Sequence, residues 1–254
     1  MRIARYSHEG LVRYGVVEGG EVLELPGHPF AAPGEVLTTT GTVHDLDAVR
    51  LLAPVIPSKV IGIGKNYADH AAEMGGAPPE RPLMFLKPTT SLIGSDDPIV
   101  LPPESHEVHH EAELAVVIGR MCRRVPAEQA ASVILGYTCA NDVTARDLQR
   151  SDGQWTRAKG FDTFCPLGPW IDTDLDPTDV LVECEVNGIT TQSASTATLI
   201  HGVPALVEAV SAVMTLLPGD VILTGTPAGV GPLAAGDEVA VTIAGLGTLV
   251  NPVR

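Results

Sequence analysis

Positive charge is scarce in this chain. Lys and Arg total 16 against 31 Asp and Glu, for a formal net charge of −15. Nothing in the sequence builds a basic face, which argues against nucleic acid as a partner. A small anionic substrate remains allowed, because a few Lys or Arg side chains can reverse the field locally. Long apolar runs are also missing. None approaches the roughly 18 residues of a membrane span, so no membrane partner is expected. The four cysteines, Cys122, Cys139, Cys165 and Cys184, form no CxxC pair, and no signal peptide is recognisable. Reduced thiols in a cytoplasmic protein are the expectation. Internal repeats and low-complexity tracts are absent as well.

What is present suits a compact, strand-rich chain. It has 254 residues, 44% of them hydrophobic, enough for a substantial core. Its 26 Gly and 21 Pro favour short strands and turns over long helices. The expected class is mainly β with a few helices (α+β). Residues 1–56 read as a small N-terminal β region, in which residues 12–17 and 21–25 flank the turn Glu18-Gly19-Gly20. Residues 57–254 read as the main domain. Residues 59–64 form a buried strand there, and Asn66 is placed to cap a short helix ending at Gly75-Gly76. The Gly- and Pro-rich segment 75–82 reads as a lid. Residues 83–87 are a strand and 126–135 a short helix. Asn187-Gly188 marks a hairpin. Residues 199–217 carry the longest 3.6-residue apolar period, a core stripe with Pro204 in its first turn.

The chemistry concentrates in residues 108–119. From Leu114 to Ile118 every residue is apolar, the pattern of a strand buried on both faces. Side chains two apart share a face, so Glu111 and Glu113 point together at the entrance to that run. Two like charges in a poorly solvated place repel, and each loses hydration. Protonating one, pairing them with Lys or Arg, or binding a divalent cation would each relieve this. The bland alternative starts the strand at Leu114 and leaves both glutamates in water. A third acid, Asp142, ends the strand-like run 136–143 beside a polar turn. Three carboxylates would leave room for water or substrate around Mg²⁺ or Mn²⁺.

Other candidates accompany them. His70 and Glu73 sit three apart on a short helix, where a carboxylate can orient an imidazole as a general base; the plain alternative is an exposed surface pair. Arg157 and Lys159 could bring cations to the acids, or simply be solvated. The glycine-rich loop 225–231 could offer backbone N–H groups to an anion. It is not a P-loop, since no Gly-Lys-Ser/Thr follows.

The motifs GKNYADH (64–70), HEAEL (110–114), NDVTARD (141–147), KGFD (159–162) and LTGTP (223–227) occur in this order. Together they resemble the fumarylacetoacetate hydrolase family, in particular its short bacterial 2-hydroxyhepta-2,4-diene-1,7-dioate isomerase-like members, over roughly residues 57–254. The resemblance implies a mixed β-sandwich roll and a homodimer. It implies Mg²⁺ or Mn²⁺ on Glu111, Glu113 and Asp142, a catalytic His70–Glu73 pair, Lys159 on the substrate side, and substrate contacts from Gln149, Arg146 and Thr226. The implied substrate is a small anionic 2-oxo or 2-hydroxy-dienoic (di)acid handled through an enolate, with isomerase or decarboxylase activity in aromatic catabolism as the leading expectation. An acylpyruvate or fumarylpyruvate C–C hydrolase and a non-catalytic metal-binding relative are the alternatives.

Overall fold

The computed structural model describes residues 1–30, 37–73, 75 and 78–254. The strand Ala112–Ile118 is buried along its whole length. Leu114, Val116 and Ile118 enter one apolar cluster, while Ala115 and Val117 enter another on the opposite face. The continuous apolar run is therefore a strand with two dry faces.

That strand lies inside a large mixed sheet. Along the sheet the order is Val43–Asp45, Glu21–Glu24, Leu11–Glu18, Arg2–His8, Cys165–Asp172, Ile134–Asn141, Ala112–Ile118, Val221–Leu223, Val60–Gly64 and Leu83–Lys87. Neighbours along it run antiparallel except Val221–Leu223 and Val60–Gly64, which are parallel. A second, antiparallel sheet orders Ile189–Ser195, Leu181–Val186, Glu238–Ile243 and Gly247–Pro252. Its Val182, Cys184, Val241 and Leu249 meet Leu114 and Val116 in one core. The fold is mainly β with few helices, as expected. The hairpins at Gly19-Gly20 and Asn187-Gly188 both form, with Glu18 opposite Glu21 and Val186 opposite Ile189.

The N-terminal strands continue the large sheet. Arg2–His8 pairs with Cys165–Asp172, putting Arg2 opposite Asp172 and Ile3 opposite Ile171. The strand Cys165–Asp172 pairs in turn with Ile134–Asn141, the strand that leads to Asp142.

Three local expectations change. Asn66 caps no helix; the helix Ala68–Glu73 starts after it, and its amide is used elsewhere. Residues 126–135 contain a 3₁₀ helix, Ala127–Ser132. The long helix is Val203–Val213, shorter than its apolar period. Met214 is extended, and Val213 and Leu217 are largely exposed, so the period outlasts the helix that suggested it. The four cysteines are buried and free. No helix among the described residues is long and apolar enough to cross a membrane. The lid expected over 75–82 falls partly outside the described residues.

Candidate active site

Strand register builds the floor of the site. Ala112 pairs with Asn141, which sets Glu111 and Asp142 side by side just beyond the ladder. The Asp142 N–H donates to Glu111 O at 2.8 Å, and the Glu111 N–H donates to Asn141 Oδ1 at 2.9 Å. Glu113 lies one pleat further in. Glu111, Glu113 and Asp142 are buried, and one carboxylate oxygen from each lies within 4.8 Å of the others. The solvent-exposed reading of the two glutamates is excluded.

Cations already answer two of these acids. Lys159 Nζ donates to Glu111 Oε2 at 2.7 Å and to Asp142 Oδ2 at 2.6 Å. Arg146 is ion-paired with Glu111. Lys87 Nζ, fully buried at the end of Leu83–Lys87, donates to Asp142 Oδ1 at 2.6 Å. Among the described residues Glu113 has no ion pair and accepts one hydrogen bond, from the Gly225 N–H at 2.6 Å. The electrostatics divide accordingly. Burial raises the Glu111 pKa, but the nearby Arg146 and Lys159 outweigh it and hold the carboxyl below its usual range. Burial, then the charges of Asp142 and Glu111, push Glu113 well above its own. Burial opposes the charge on Lys159, yet Asp142 and Glu111 raise its pKa overall.

The second group faces the same cleft. His70 is 4% exposed, and its Nδ1 lies 3.0 Å from Glu73 Oε2. The Gly229 N–H holds the other Glu73 oxygen at 3.1 Å. The loop 225–231 thus does offer N–H groups to anions, and the anions are Glu113 and Glu73. The Nδ1 contact leaves His70 Nε2 for chemistry. Gln149 accepts from Arg146 Nη1 at 2.8 Å, and Thr226 donates to Ala112 O at 2.9 Å. His70, Glu111, Glu113, Arg146, Gln149, Lys159 and Thr226 line one cleft of about 580 Å³, counting its open mouth. Glu73 and Asp142 do not line it but contact residues that do, His70 and Lys159. Arg157 stays outside and pairs with Asp152.

Sequence reasoning missed three supports. Lys87 is one. Gln192 is another: its Oε1 lies 3.1 Å from His110 Nδ1 and accepts from the Ala112 N–H at 2.9 Å, and its Nε2 donates to Thr226 Oγ1 at 2.8 Å. It ties the second sheet to the floor of the site, and the one available signal was a polar residue at an inward position of a strand. The third is Asn66. Its Nδ2 donates to Thr224 O at 2.7 Å and His201 O at 2.9 Å, and its Oδ1 accepts from the His201 N–H at 2.9 Å. Replacing Asn66 with Ala strands these groups in a buried place, and an expected loss on the order of 3 kcal/mol is readable from the urea midpoint.

Residues 59–254 match the sequence family described as fumarylacetoacetate (FAA) hydrolase C-terminal. This chain belongs to the fumarylacetoacetate hydrolase family. Residues 1–54 match a second family, Rv2993c-like, N-terminal. Among solved members, the 2-hydroxyhepta-2,4-diene-1,7-dioate isomerase from Mycobacterium marinum is 52% identical, with a TM-score of 0.92 over 100% of this chain and 98% of that one. The maleylpyruvate hydrolase from Sphingobium sp. SYK-6, solved with manganese(II) and pyruvate, is 34% identical, with a TM-score of 0.82 over 100% and 98%. The rat mitochondrial oxaloacetate tautomerase Fahd2a is 45% identical over 81% of this chain and 69% of its own. Family members thus include isomerases and hydrolases on one scaffold.

The site also fits the divalent metal that the family implies. Its donor set is all carboxylate oxygen, the preference of Mg²⁺ and Mn²⁺. Glu113 is a buried acid left without a cation of its own, so an added positive charge relieves the strongest repulsion in the cluster.

Proposed function

We propose that this protein moves a proton between carbon 3 and the 2-oxygen of a 2-oxo diacid, interconverting keto and enol or dienol forms. The observation that carries this is the oriented His70–Glu73 pair facing, across one cleft, a buried carboxylate cluster flanked by Lys159 and Arg146. Glu111, Glu113 and Asp142 would hold the metal. When bound, the ion supplies Lewis acidity toward the carboxylate and 2-oxo oxygens of the substrate. The chain's own groups do the rest. Glu73 accepts the Nδ1 proton of His70 and is itself fixed by Gly229, so Nε2 is the basic nitrogen. His70 Nε2 takes the proton from carbon 3. Lys159 and Arg146 place fixed positive charge beside the oxygen on which negative charge grows. Returning the proton to another carbon of a conjugated chain would give a dienol isomerisation of the kind named for the M. marinum relative. Placing it on the 2-oxygen, or running the same transfer in reverse, would give the tautomerisation named for the rat relative.

The test is the Mg²⁺-loaded protein with oxaloacetate in D₂O, followed by NMR and by enol absorbance. Faster enol decay and deuterium at carbon 3, both lost with EDTA, are expected. No acceleration of either, with oxaloacetate or with a 2-hydroxy-dienoic diacid, would overturn the reading. Release of pyruvate and CO₂ would make the protein a decarboxylase. Cleavage of an acylpyruvate to pyruvate and an acid would make it a C–C hydrolase, with His70 working on water.

A further inference from the structure

Lys65 has the least ordinary backbone of the residues around the cleft. It follows the strand Val60–Gly64 and holds a left-handed conformation, φ 56°. A residue with a Cβ adopts this at a cost, and such outliers persist where the surroundings impose them. Here the imposing groups flank it. Asn66 is clamped by Thr224 and His201. Gly64 lies so close to Trp155 that a Cβ there would stand 2.6 Å from the indole. The chain is pinned on both sides, and the Lys65 side chain is delivered to the cleft wall. It is half-buried and forms no ion pair among the described residues. The other rim cation, Arg150, is ion-paired with Glu107. The remaining cations of the site, Lys87, Arg146 and Lys159, sit at the floor on Asp142 and Glu111.

Charge counting says what Lys65 is for. With the acids ionised, as a bound divalent ion would hold them, Lys65, Lys87, Arg146 and Lys159 count against Glu73, Glu111, Glu113 and Asp142, four charges of each sign, His70 left out. A divalent ion leaves two positive charges in excess, inside a protein whose overall charge is −15. A monoanionic 2-oxo acid cancels one of them, and a dianion cancels both. The second carboxylate must then meet a cation away from the floor, and among the described residues Lys65 is the cleft-lining cation without an ion pair.

We propose that Lys65 sets the substrate class of this cleft by receiving the distal carboxylate of a 2-oxo diacid whose 2-oxo-acid end lies over Glu111, Glu113 and Asp142. The inference rests on the proposed function for the placement of that end. A lysine at this position selects diacids over monoacids by an ion pair available only to the former.

The experiment reads equilibrium binding and not rate. Trp155 lines the cleft, so its fluorescence reports occupancy. The Mg²⁺-loaded wild type and Lys65→Asn are titrated with pyruvate and with two 2-oxo diacids, oxaloacetate and 2-oxoglutarate. Asn tolerates the left-handed backbone, so loss of the ammonium and its stem is not compounded by strain. Mn²⁺ binding, read by electron paramagnetic resonance, checks that the floor is intact. The affinity for at least one diacid should fall about ten-fold or more while that for pyruvate stays the same, and Lys65→Arg should keep the preference. Equal losses for pyruvate and the diacids, or no loss for either, would overturn the role of Lys65 and leave the proposed function standing. A wild type that binds Mn²⁺ but none of the three acids would overturn the proposed function, and this inference with it.

Discussion

A Lys87→Met variant is expected to lose about 3 kcal/mol of folding stability in EDTA, the low end of the cost of breaking a buried ion pair, because Asp142 retains a second partner. The Lys87 side chain is fully buried, and its Nζ donates to Asp142 Oδ1 at 2.6 Å and to Val143 O at 3.3 Å. Met is one atom shorter and donates nothing. Asp142 keeps Lys159 on its other oxygen, which makes the site more negative without dissolving it. Mg²⁺ should therefore restore more stability to the variant than it adds to the wild type, because an ion held only by the folded chain stabilises it through mass action. Urea titrations with EDTA and with Mg²⁺ measure both effects. A loss near zero, or equal Mg²⁺ gains in the two proteins, would contradict this account of the floor.

The largest effect on rate is expected from His70→Ala. Removing a positioned base typically costs about 10²–10⁴ in rate. The imidazole contacts Glu73 and none of the three cluster acids, so Mn²⁺ affinity should hold while deuterium exchange at carbon 3 collapses. Glu73→Gln should do less harm, since it weakens the orientation and leaves Nε2 in place. An unchanged exchange rate in His70→Ala would reduce the pair to a structural contact between the helix Ala68–Glu73 and the loop at Gly229.

The three acids were legible because their signals are local. The two-residue spacing of Glu111 and Glu113 against a solid apolar run, and an acid ending the next strand, pointed to a carboxylate cluster; only the structure excluded the solvent-exposed alternative. The hairpins were legible for the same reason. Lys87 was not: a lysine closing a strand before Pro88 looks solvated, and its partner is 55 positions away. Asn66 was misread because a helix follows it closely, while the groups it clamps come from residues 201 and 224. The continuation of the N-terminal strands into the large sheet depends on a pairing across some 170 positions, which no local pattern encodes.

The pairing of Ala112 with Asn141 also has a consequence for how the chain reaches its native state. A slip of one residue between those strands would turn every side chain to the opposite face. Glu111 and Asp142 would part, and Lys87 and Lys159 would be stranded in apolar surroundings. Both strands are buried on both faces along nearly their whole length, so burial alone discriminates weakly between registers. The buried charges supply the discrimination: only one alignment brings each ammonium to a carboxylate. The buried carboxylate floor thus doubles as a register check on assembly, penalising misaligned pairings of the two strands.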